Sequence, residues 1–269
     1  MKPLVSIIIT SFNYERYIAD CIKSCFAQTY KAIQLVIIDD CSTDKSYEII
    51  DKLYEDCPVD FAVNGMTIGR HPVNSGYAKA KNTGIRESKG EFITFIDADD
   101  CLTPDSIEDR VNAFEPFGEF DDLFDFVHGN VYNVSNPDWS LEDMLSNTKA
   151  LYKDPGTQRY FKKQHRKKIH AQGMMFRRSV FERFGLYWDI NSKADKEMTY
   201  RLGIHPESPL PKLIKHKKID GFVAFYRRHI DSMKSSLRSG KKFELKVKFN
   251  KRIAQLKCEG ITKENTEYV

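Results

Sequence analysis

The chain has 269 residues, 41% hydrophobic and 30% charged, which suits one large globular domain with or without an appendage. No apolar run approaches the roughly 20 residues that a membrane-spanning helix needs, and the N-terminus lacks a basic flank followed by a cleavable apolar segment. The six cysteines show no CxxC and no paired metal-ligand spacing, so we expect reduced thiols in a cytoplasmic or cytosol-facing protein.

The net charge of +4 conceals an asymmetry between the two halves of the chain. Residues 1–150 carry 13 basic and 26 acidic side chains, a net charge of −13, whereas residues 151–269 carry 29 and 12, a net charge of +17. An acidic half suits a metal site, and a basic half suits an anionic substrate or surface. Attraction between the two halves is the alternative explanation.

The first part of the chain alternates apolar runs with amphipathic segments. Val5–Thr10 and Gln34–Ile38 have the pattern of buried strands, while Glu15–Thr29 and Lys45–Tyr54 have the apolar recurrence typical of helices. This order predicts right-handed βαβ units and a parallel sheet. The loops that follow the two strands then emerge at the carboxyl edge of the sheet, where such folds bind ligands.

The turn after the first strand excludes two common nucleotide-binding classes. A phosphate-binding P-loop or a GxGxxG fingerprint would lie there, but the turn Ser11–Tyr14 contains no glycine. The segment Asn74–Gly84 instead brings small residues into a helix, which allows close approach to neighbouring backbone or to a ligand. Within it, Lys81 is expected to reach a diphosphate, whereas Lys79 reads as a solvated charge.

A further strand candidate, Phe92–Ile96, leads directly into three carboxylates, Asp97, Asp99 and Asp100. Acids this close repel one another unless a cation or a proton intervenes. Mg²⁺ and Mn²⁺ take oxygen ligands and are commonly shared between carboxylates and substrate phosphates. The sequence therefore predicts a metal–phosphate site here. The alternative is that Asp100 caps a helix that begins near Thr103-Pro104.

Four motifs in this order carry a resemblance to a known family. They are Thr-Ser-Phe-Asn at 10–13, Asp-Asp-Cys-Ser-Thr-Asp at 39–44, Asn-x-Gly-x-x-x-Ala-x-Asn-x-Gly at 74–84 and Asp-Ala-Asp-Asp at 97–100. The chain resembles glycosyltransferase family 2, whose members have the GT-A fold, use nucleotide sugars and typically invert the anomeric centre. The resemblance is close over residues 3–105 and looser over 170–232.

This resemblance implies a fold and a division of the chain. The expected fold is α/β, with a mostly parallel, Rossmann-like sheet flanked by helices. A glycosyltransferase domain would occupy residues 1–235, with a nucleotide-sugar half at 1–105 and an acceptor half at 106–235. A basic helical C-terminal tail would occupy residues 236–269.

The resemblance also implies roles for single residues. The expected nucleotide-sugar contacts are Thr10, Ser11, Asn13, Asp39, Asp40, Asn74, Gly76, Lys81, Asp97 and Ala98. Asp97 and Asp99 match the DxD pair of the family and are expected to bind Mn²⁺ or Mg²⁺, with Asp99 the better candidate ligand. The family usually has arginine where this chain has Lys81, which keeps the charge without the bidentate geometry.

The middle of the chain has weaker sequence patterns. Asp105–Phe117 has the pattern of a helix and Phe124–Tyr132 that of a strand, whereas residues 135–168 contain turn signals and a basic run at 162–168. A long irregular insertion of this kind is either a lid or acceptor loop or a solvated charged loop.

Residues 170–181 are similar to a second block of the family, in which a strand leads into a short helix beside the acceptor pocket. The expected acceptor-side residues are Gly173, Met174, Arg201 and Arg228. Asp195 is the expected catalytic base, although the family prefers Glu-Asp where this chain has Ala194-Asp195; the alternative is a carboxylate at a helix N-terminus. His229 is expected to be a third metal ligand or a diphosphate contact, or else a structural histidine.

The segment Lys241–Lys257 interleaves apolar residues with lysines, which predicts a basic amphipathic helix. It could pack on the domain, lie on an anionic membrane or face a polyanion. Together with basic clusters at 162–168 and 212–218, it would permit an anionic acceptor, and it would suit a cytoplasmic protein at the inner face of a membrane.

Together with the resemblance, the sequence therefore predicts a metal-dependent glycosyltransferase, and the resemblance implies that it inverts the anomeric centre. It would move a sugar from a nucleoside-diphosphate donor, UDP before other nucleotides, to a hydroxyl of a glycan or lipid-linked saccharide. Three alternatives stay open: a transferase acting on a polyanion such as modified DNA, a nucleotidyltransferase using the same acids on an α-phosphate, and a non-catalytic nucleotide-sugar-binding module.

Overall fold

The computed structural model describes residues 2–58, 65–114, 124–151, 161–163, 169–189, 194–229 and 239–259. Within these ranges, nine strands form one sheet and eight α-helices pack around it. Residues 164–168 of the predicted basic run and the predicted domain boundary at residue 235 lie outside the described ranges.

The strands are β1 Val5–Ser11, β2 Ile33–Asp39, β3 Met66–Arg70, β4 Phe92–Asp97, β5 Cys101–Leu102, β6 Phe126–Val134, β7 Phe161–Lys163, β8 Met174–Arg177 and β9 His216–Arg227. The helices are α1 Ile18–Phe26, α2 Ser46–Glu55, α3 Tyr77–Glu87, α4 Ser106–Phe114, α5 Leu141–Leu151, α6 Arg178–Phe184, α7 Ala194–Arg201 and α8 Ser239–Glu259. A short 3₁₀ turn, Ala171–Gly173, precedes β8.

The sheet has the order β3-β2-β1-β4-β8-β6-β9-β5, with β7 paired to β6. β3, β2, β1 and β4 are parallel neighbours, because a helix crosses over between each strand and the next in sequence. β8 is antiparallel to both β4 and β6, whereas β9 is parallel to β6 and antiparallel to β5. The predicted α/β fold is confirmed, and the sheet is mixed beyond β4.

Helices cover both faces of the central strands, so β1 and β2 are buried at every position. Alternate residues of a strand point to opposite faces. The odd-numbered residues from Val5 to Ile9 therefore pack in one apolar cluster with α1 and α2, whereas Ile8 packs in a second cluster with α3, α6 and α7. This two-sided core holds the carboxyl ends of β1, β2 and β4 at one level.

Helix α3 lies close to β1 because Gly84 faces that strand. A Cβ atom at this position would overlap the side chain of Ile8, so a larger residue would push the helix outward. Tyr77 and Lys81 lie seven and three residues before Gly84 and therefore share its helix face. The close packing brings both side chains towards the carboxyl end of the sheet.

The C-terminal helix α8 packs against α7. Phe249, Ile253 and Leu256 form an apolar cluster with Tyr200 and Leu210. The exposed lysines of the same helix are Lys246, Lys248, Lys251 and Lys257. Packing on the domain, one of the three predicted roles of this helix, is therefore observed. Among the described helices, none is long and apolar enough to cross a membrane.

Candidate active site

The carboxyl ends of β1, β2 and β4 meet because the three strands are parallel neighbours. Thr10 of β1 is paired in register with Asp97 of β4, and Ser11 is paired with Asp39 of β2. Residues separated by almost ninety positions in the chain thus lie side by side at one edge. The first, second and fourth motifs come together there, as their positions after strands predicted.

Three carboxylates form a compact cluster after β4. Asp97, Asp99 and Asp100 each present an oxygen, and the three oxygens lie within 4.8 Å of one another. Burial raises the pKa of Asp97 to about 6, and the cation of Lys81 opposes this effect. Burial, followed by the charge of Asp99, raises the pKa of Asp100 well above its usual range. The cluster holds excess negative charge that a proton or a cation would relieve.

The donor set of this cluster fits a hard divalent cation. It consists of carboxylate oxygens, which Mg²⁺ and Mn²⁺ prefer. The Oδ1 atom of Asp100 accepts the backbone N–H of Arg227 at 2.8 Å, while its buried Oδ2 atom has no hydrogen-bond partner among the described residues. Asp97, Asp99 and Asp100 are therefore the residues that would hold the ion. Asp100 does not cap a helix here, and it joins the predicted pair.

His229 lies behind Asp99. Its Nε2 atom is 2.8 Å from the Oδ2 atom of Asp99, and its ring lies 4.8 Å from that of Tyr17. The phenol of Tyr14 also hydrogen-bonds to Asp99; burial, then the charge of that carboxylate, raises the pKa of Tyr14. His229 thus contacts a candidate ligand, and its predicted role as a metal ligand, a diphosphate contact or a structural histidine stays a prediction.

Asp97 is held by two residues that the sequence did not single out. The hydroxyl of Tyr77 lies 2.9 Å from Oδ1, and Gln172 donates from Nε2 to Oδ2 at 2.8 Å. Each is the sequence neighbour of a predicted site residue: Tyr77 follows Gly76, and Gln172 precedes Gly173. That adjacency is the only sequence signal that could have pointed to them.

The predicted base, Asp195, lies in the first turn of α7 and reaches the same cluster. Its Oδ2 atom is 3.0 Å from the hydroxyl of Tyr77, which therefore lies between Asp195 and Asp97. Its Oδ1 atom is 2.5 Å from Nζ of Lys81. The side chain of Asp195 is 25% exposed.

The predicted nucleotide-sugar residues hold three loops together. Asn13, at a left-handed φ of 60°, accepts the backbone N–H of Thr43 at 2.8 Å, which joins the loops after β1 and β2. Asp40 accepts the backbone N–H groups of Ser75 and Gly76, at 2.8 and 2.7 Å, and its Oδ1 atom is 2.7 Å from Nδ1 of His71.

Asp39 is also held by contacts within the protein. It accepts the backbone N–H and the hydroxyl of Ser42 and lies 3.4 Å from Nε of Arg70. Thr10, Ser11 and Ala98 are buried at strand ends, whereas Asn74 is exposed on the loop before α3. Gly76, at φ 94°, begins that helix in a conformation that favours glycine. The carboxylates thus hold these loops in place, and the roles in donor binding stay predictions.

The structure corrects two of the acceptor-side predictions. The side chain of Met174 lies in the core, and its carbonyl oxygen accepts the hydroxyl of Thr94. Arg201 is fully buried, with Nε 3.0 Å from Glu197 and further bonds to backbone carbonyls before α7. Neither side chain is placed to contact an acceptor, because packing in the interior takes up both.

The other two acceptor-side predictions have different outcomes. A Cβ atom at Gly173 would lie 2.8 Å from the carbonyl oxygen of Gly129, so glycine is needed there for the close approach to β6. Arg228 is exposed and donates its backbone N–H to Val134. Its exposed side chain keeps the predicted acceptor contact open.

The sequence profile described as Glycosyl transferase family 2 matches residues 6–185, which is more than half of the chain. The chain belongs to glycosyltransferase family 2. The matched region contains all four motifs, which confirms the resemblance seen in them. It ends before Asp195, so the place of that residue in the site depends on the tertiary structure.

This chain matches curated relatives of the family over only part of their length. The glycosyltransferase GlyG of Streptococcus pneumoniae serotype 4 is 34% identical over 139 residues, which cover 51% of this chain and 42% of GlyG. The uncharacterized glycosyltransferase EpsJ of Bacillus subtilis is 27% identical over 237 residues, which cover 87% of this chain and 63% of EpsJ. The chain thus spans less than two thirds of either relative.

Solved structures share the fold at low sequence identity. S. aureus TarS 1–349 in complex with UDP-GlcNAc gives a TM-score of 0.63 at 18% identity, covering 94% of this chain and 66% of the TarS chain. The mannosyltransferase PcManGT from Pyrobaculum calidifontis, in complex with GDP-Man and Mn²⁺, gives 0.63 at 17% identity, covering 98% and 67%. These matches confirm the predicted fold class.

Proposed function

We propose that the protein is a metal-dependent, inverting glycosyltransferase that moves a sugar from a nucleoside diphosphate, UDP before other nucleotides, to a hydroxyl of a glycan or lipid-linked saccharide. The observation that carries this proposal is the joint placement of a three-carboxylate cluster and a separate carboxylate, Asp195, on the two sides of the Tyr77 hydroxyl. Such a site offers a place for a diphosphate and a proton acceptor for the attacking group.

The donor half of the proposal is supported by the loops at the carboxyl edge of the sheet. Asn13, Asp39 and Asp40 hold the loops after β1 and β2 and before α3 in one arrangement. Fold neighbours have been solved with UDP-GlcNAc and with GDP-Man and Mn²⁺, and we infer a nucleotide sugar in the corresponding place here. When bound by the carboxylate cluster, Mn²⁺ or Mg²⁺ would supply charge neutralisation to the diphosphate.

In the proposed reaction, Asp195 accepts the proton of the acceptor hydroxyl as its oxygen attacks the anomeric carbon. The bond from that carbon to the diphosphate oxygen breaks, and the nucleoside diphosphate leaves with the electron pair. A single displacement of this kind inverts the anomeric centre. A carboxylate suffices as the base because the proton moves while the new bond forms.

An acceptor that carries phosphate or carboxylate groups is a second candidate, and one observation favours it. An open groove of about 400 Å³ lies between α8 and α7, and α7 is the helix that carries Asp195. It is lined by Lys196, Tyr200, Glu207, Pro209, Lys246, Phe249, Asn250, Ile253, Ala254 and Lys257. Three lysines against one glutamate give the groove a positive charge that would attract an anionic saccharide. The same exposed lysines suit the predicted position at an anionic membrane surface.

The test is release of nucleoside diphosphate from a panel of UDP-, GDP- and dTDP-sugars with Mn²⁺, Mg²⁺ or EDTA. We expect one donor to be hydrolysed slowly, EDTA to abolish the reaction, and Asp195→Asn to lower the rate by about 100-fold or more, as for a general base. Asp105→Asn, an exposed acid outside the cluster, is the matched control.

The outcomes separate the rival functions. Donor binding that survives Asp195→Asn while turnover is lost supports the transferase and argues against a non-catalytic binding module. Release of inorganic pyrophosphate from a nucleoside triphosphate would favour a nucleotidyltransferase. Absence of both binding and turnover with every donor and metal would refute the proposed function.

A further inference from the structure

Lys81 lies inside the protein and away from the pocket surface. Its side chain is fully buried, and its ammonium lies over the rings of Tyr77, Phe95 and Tyr187, 4.4, 4.6 and 4.9 Å from their centroids. A buried ammonium is costly unless an anion compensates it, and aromatic faces contribute only part of that compensation. The anion is Asp195, whose Oδ1 atom lies 2.5 Å from Nζ of Lys81.

A lysine that binds a diphosphate has to present its ammonium to the pocket. The sequence predicted this role for Lys81, yet its exposed surface is zero. Lys79, two residues earlier on the same helix, has a side chain that is 56% exposed and lies 3.7 Å from Asp189. The two lysines of α3 thus differ in surroundings, and only Lys79 faces solvent.

The other carboxylate oxygen of Asp195 is also held by the protein. It lies 3.0 Å from the Tyr77 hydroxyl, which is itself 2.9 Å from Asp97. Contacts to both oxygens fix the plane of the carboxylate, while each oxygen keeps a further lone pair for an acceptor hydroxyl. Lys81 and Tyr77 therefore orient Asp195 from the interior, while a quarter of its side chain stays exposed.

We propose that Lys81 is a positioning residue, which orients and counterbalances the carboxylate of Asp195 and makes no contact with the diphosphate of the donor. This inference rests on the proposed role of Asp195 as the base. It predicts that replacing Lys81 by an uncharged residue lowers the catalytic rate without lowering nucleotide affinity. If Lys81 instead bound the diphosphate, its replacement would mainly lower nucleotide affinity.

The experiment compares Lys81→Met with Lys79→Met, which removes an exposed lysine from the same helix. The dissociation constant of UDP, in the presence of Mn²⁺, is measured by calorimetry, and kcat and KM for the donor are measured by nucleotide release. For Lys81→Met we expect UDP affinity within about twofold of the wild type and kcat lower by about 100-fold, since misorienting a general base removes much of its effect. Lys79→Met should change neither.

A double-mutant cycle tests whether Lys81 acts through Asp195. If it does, Lys81→Met should cost no further rate when Asp195→Asn is already present, because the group that it positions is gone. The double variant also removes both partners of the buried ion pair, which proteins tolerate better than removing one. It therefore keeps the comparison available if Lys81→Met alone does not fold.

Two results would overturn the inference. One is a tenfold or greater loss of UDP affinity in Lys81→Met, or in the double variant compared with Asp195→Asn. The other is a rate loss in the double variant that equals the product of the two single losses. If the wild type neither binds nor turns over any donor, the proposed function fails. If it binds UDP without turnover, the UDP affinities of the same variants still decide whether Lys81 contacts the diphosphate.

Discussion

Asp100 offers a sharp test of the metal site, because one substitution should raise stability without the ion and weaken the stabilisation that the ion provides. Its Oδ1 atom accepts the backbone N–H of Arg227, and its Oδ2 atom has no hydrogen-bond partner within the described ranges. Asp100→Asn removes the charge and keeps an oxygen for Arg227, since an amide has nearly the shape of a carboxylate. We expect the variant to be more stable than the wild type without metal and to respond less to metal.

The size of the effect follows from the geometry of the cluster. Two full charges 4.8 Å apart, the largest separation of the three ligand oxygens, repel by about 3 kcal/mol at an effective dielectric constant of about 20. Partial protonation reduces this repulsion, because burial raises the pKa of Asp100. A net gain of about 1–2 kcal/mol in EDTA corresponds to an increase of about 2–8 °C in Tm for a chain of this size.

The assay is thermal unfolding of wild type, Asp100→Asn and Asp105→Asn, each in EDTA and in Mn²⁺. At 100 times its dissociation constant, Mn²⁺ should stabilise the wild type by about 2.7 kcal/mol. We expect the stabilisation of Asp100→Asn to be less than half of that, since the variant offers one carboxylate fewer. Asp105→Asn makes the same change of charge at an exposed position and should follow the wild type.

A lower Tm of Asp100→Asn in EDTA, combined with an unchanged response to Mn²⁺, would refute this reasoning. Asp100 would then be a structural acceptor for the backbone of Arg227 at the end of β9. The cluster would in that case reduce to Asp97 and Asp99, the pair that the sequence predicted.

Two further predictions concern pH and the acceptor. Mn²⁺ affinity measured by calorimetry should fall by at least about tenfold per pH unit below about 6, because burial raises the pKa of Asp97 to about 6 and the ion has to displace its proton; a flat profile between pH 5 and 7 would contradict this. Replacing Lys246 and Lys257 of the groove by alanine should raise KM several-fold for a phosphate-bearing acceptor and leave KM for a neutral one unchanged, because only the former gains from their charge. The control replaces Lys248 and Lys251 by alanine, because these lysines are exposed on the same helix but do not line the groove. An equal rise in KM for both double variants would rule out a specific groove.

The local sequence determined the part of this protein that is predicted to bind the nucleotide sugar. Apolar, β-branched runs such as Val5–Thr10 have one stable environment in a chain of this size, a strand covered on both faces, and the helices between them force a parallel order. Parallel order in turn places residues after β1, β2 and β4 at the same edge. Asp97 and Asp99 could therefore be predicted to form a metal–phosphate site, and the motifs after these strands carried the resemblance to the family.

The tertiary structure alone decided how the candidate catalytic groups are paired. Lys81 and Asp195 are 114 residues apart, and Tyr77 links Asp195 to Asp97 through contacts that no periodicity in the sequence encodes. The sequence also could not show which charged side chains are buried. A residue such as Arg201 is expected at the surface until its buried partner, here Glu197, is known. Secondary structure follows from neighbours in sequence, whereas the charge balance of a buried site depends on groups brought together only when the sheet and helices pack.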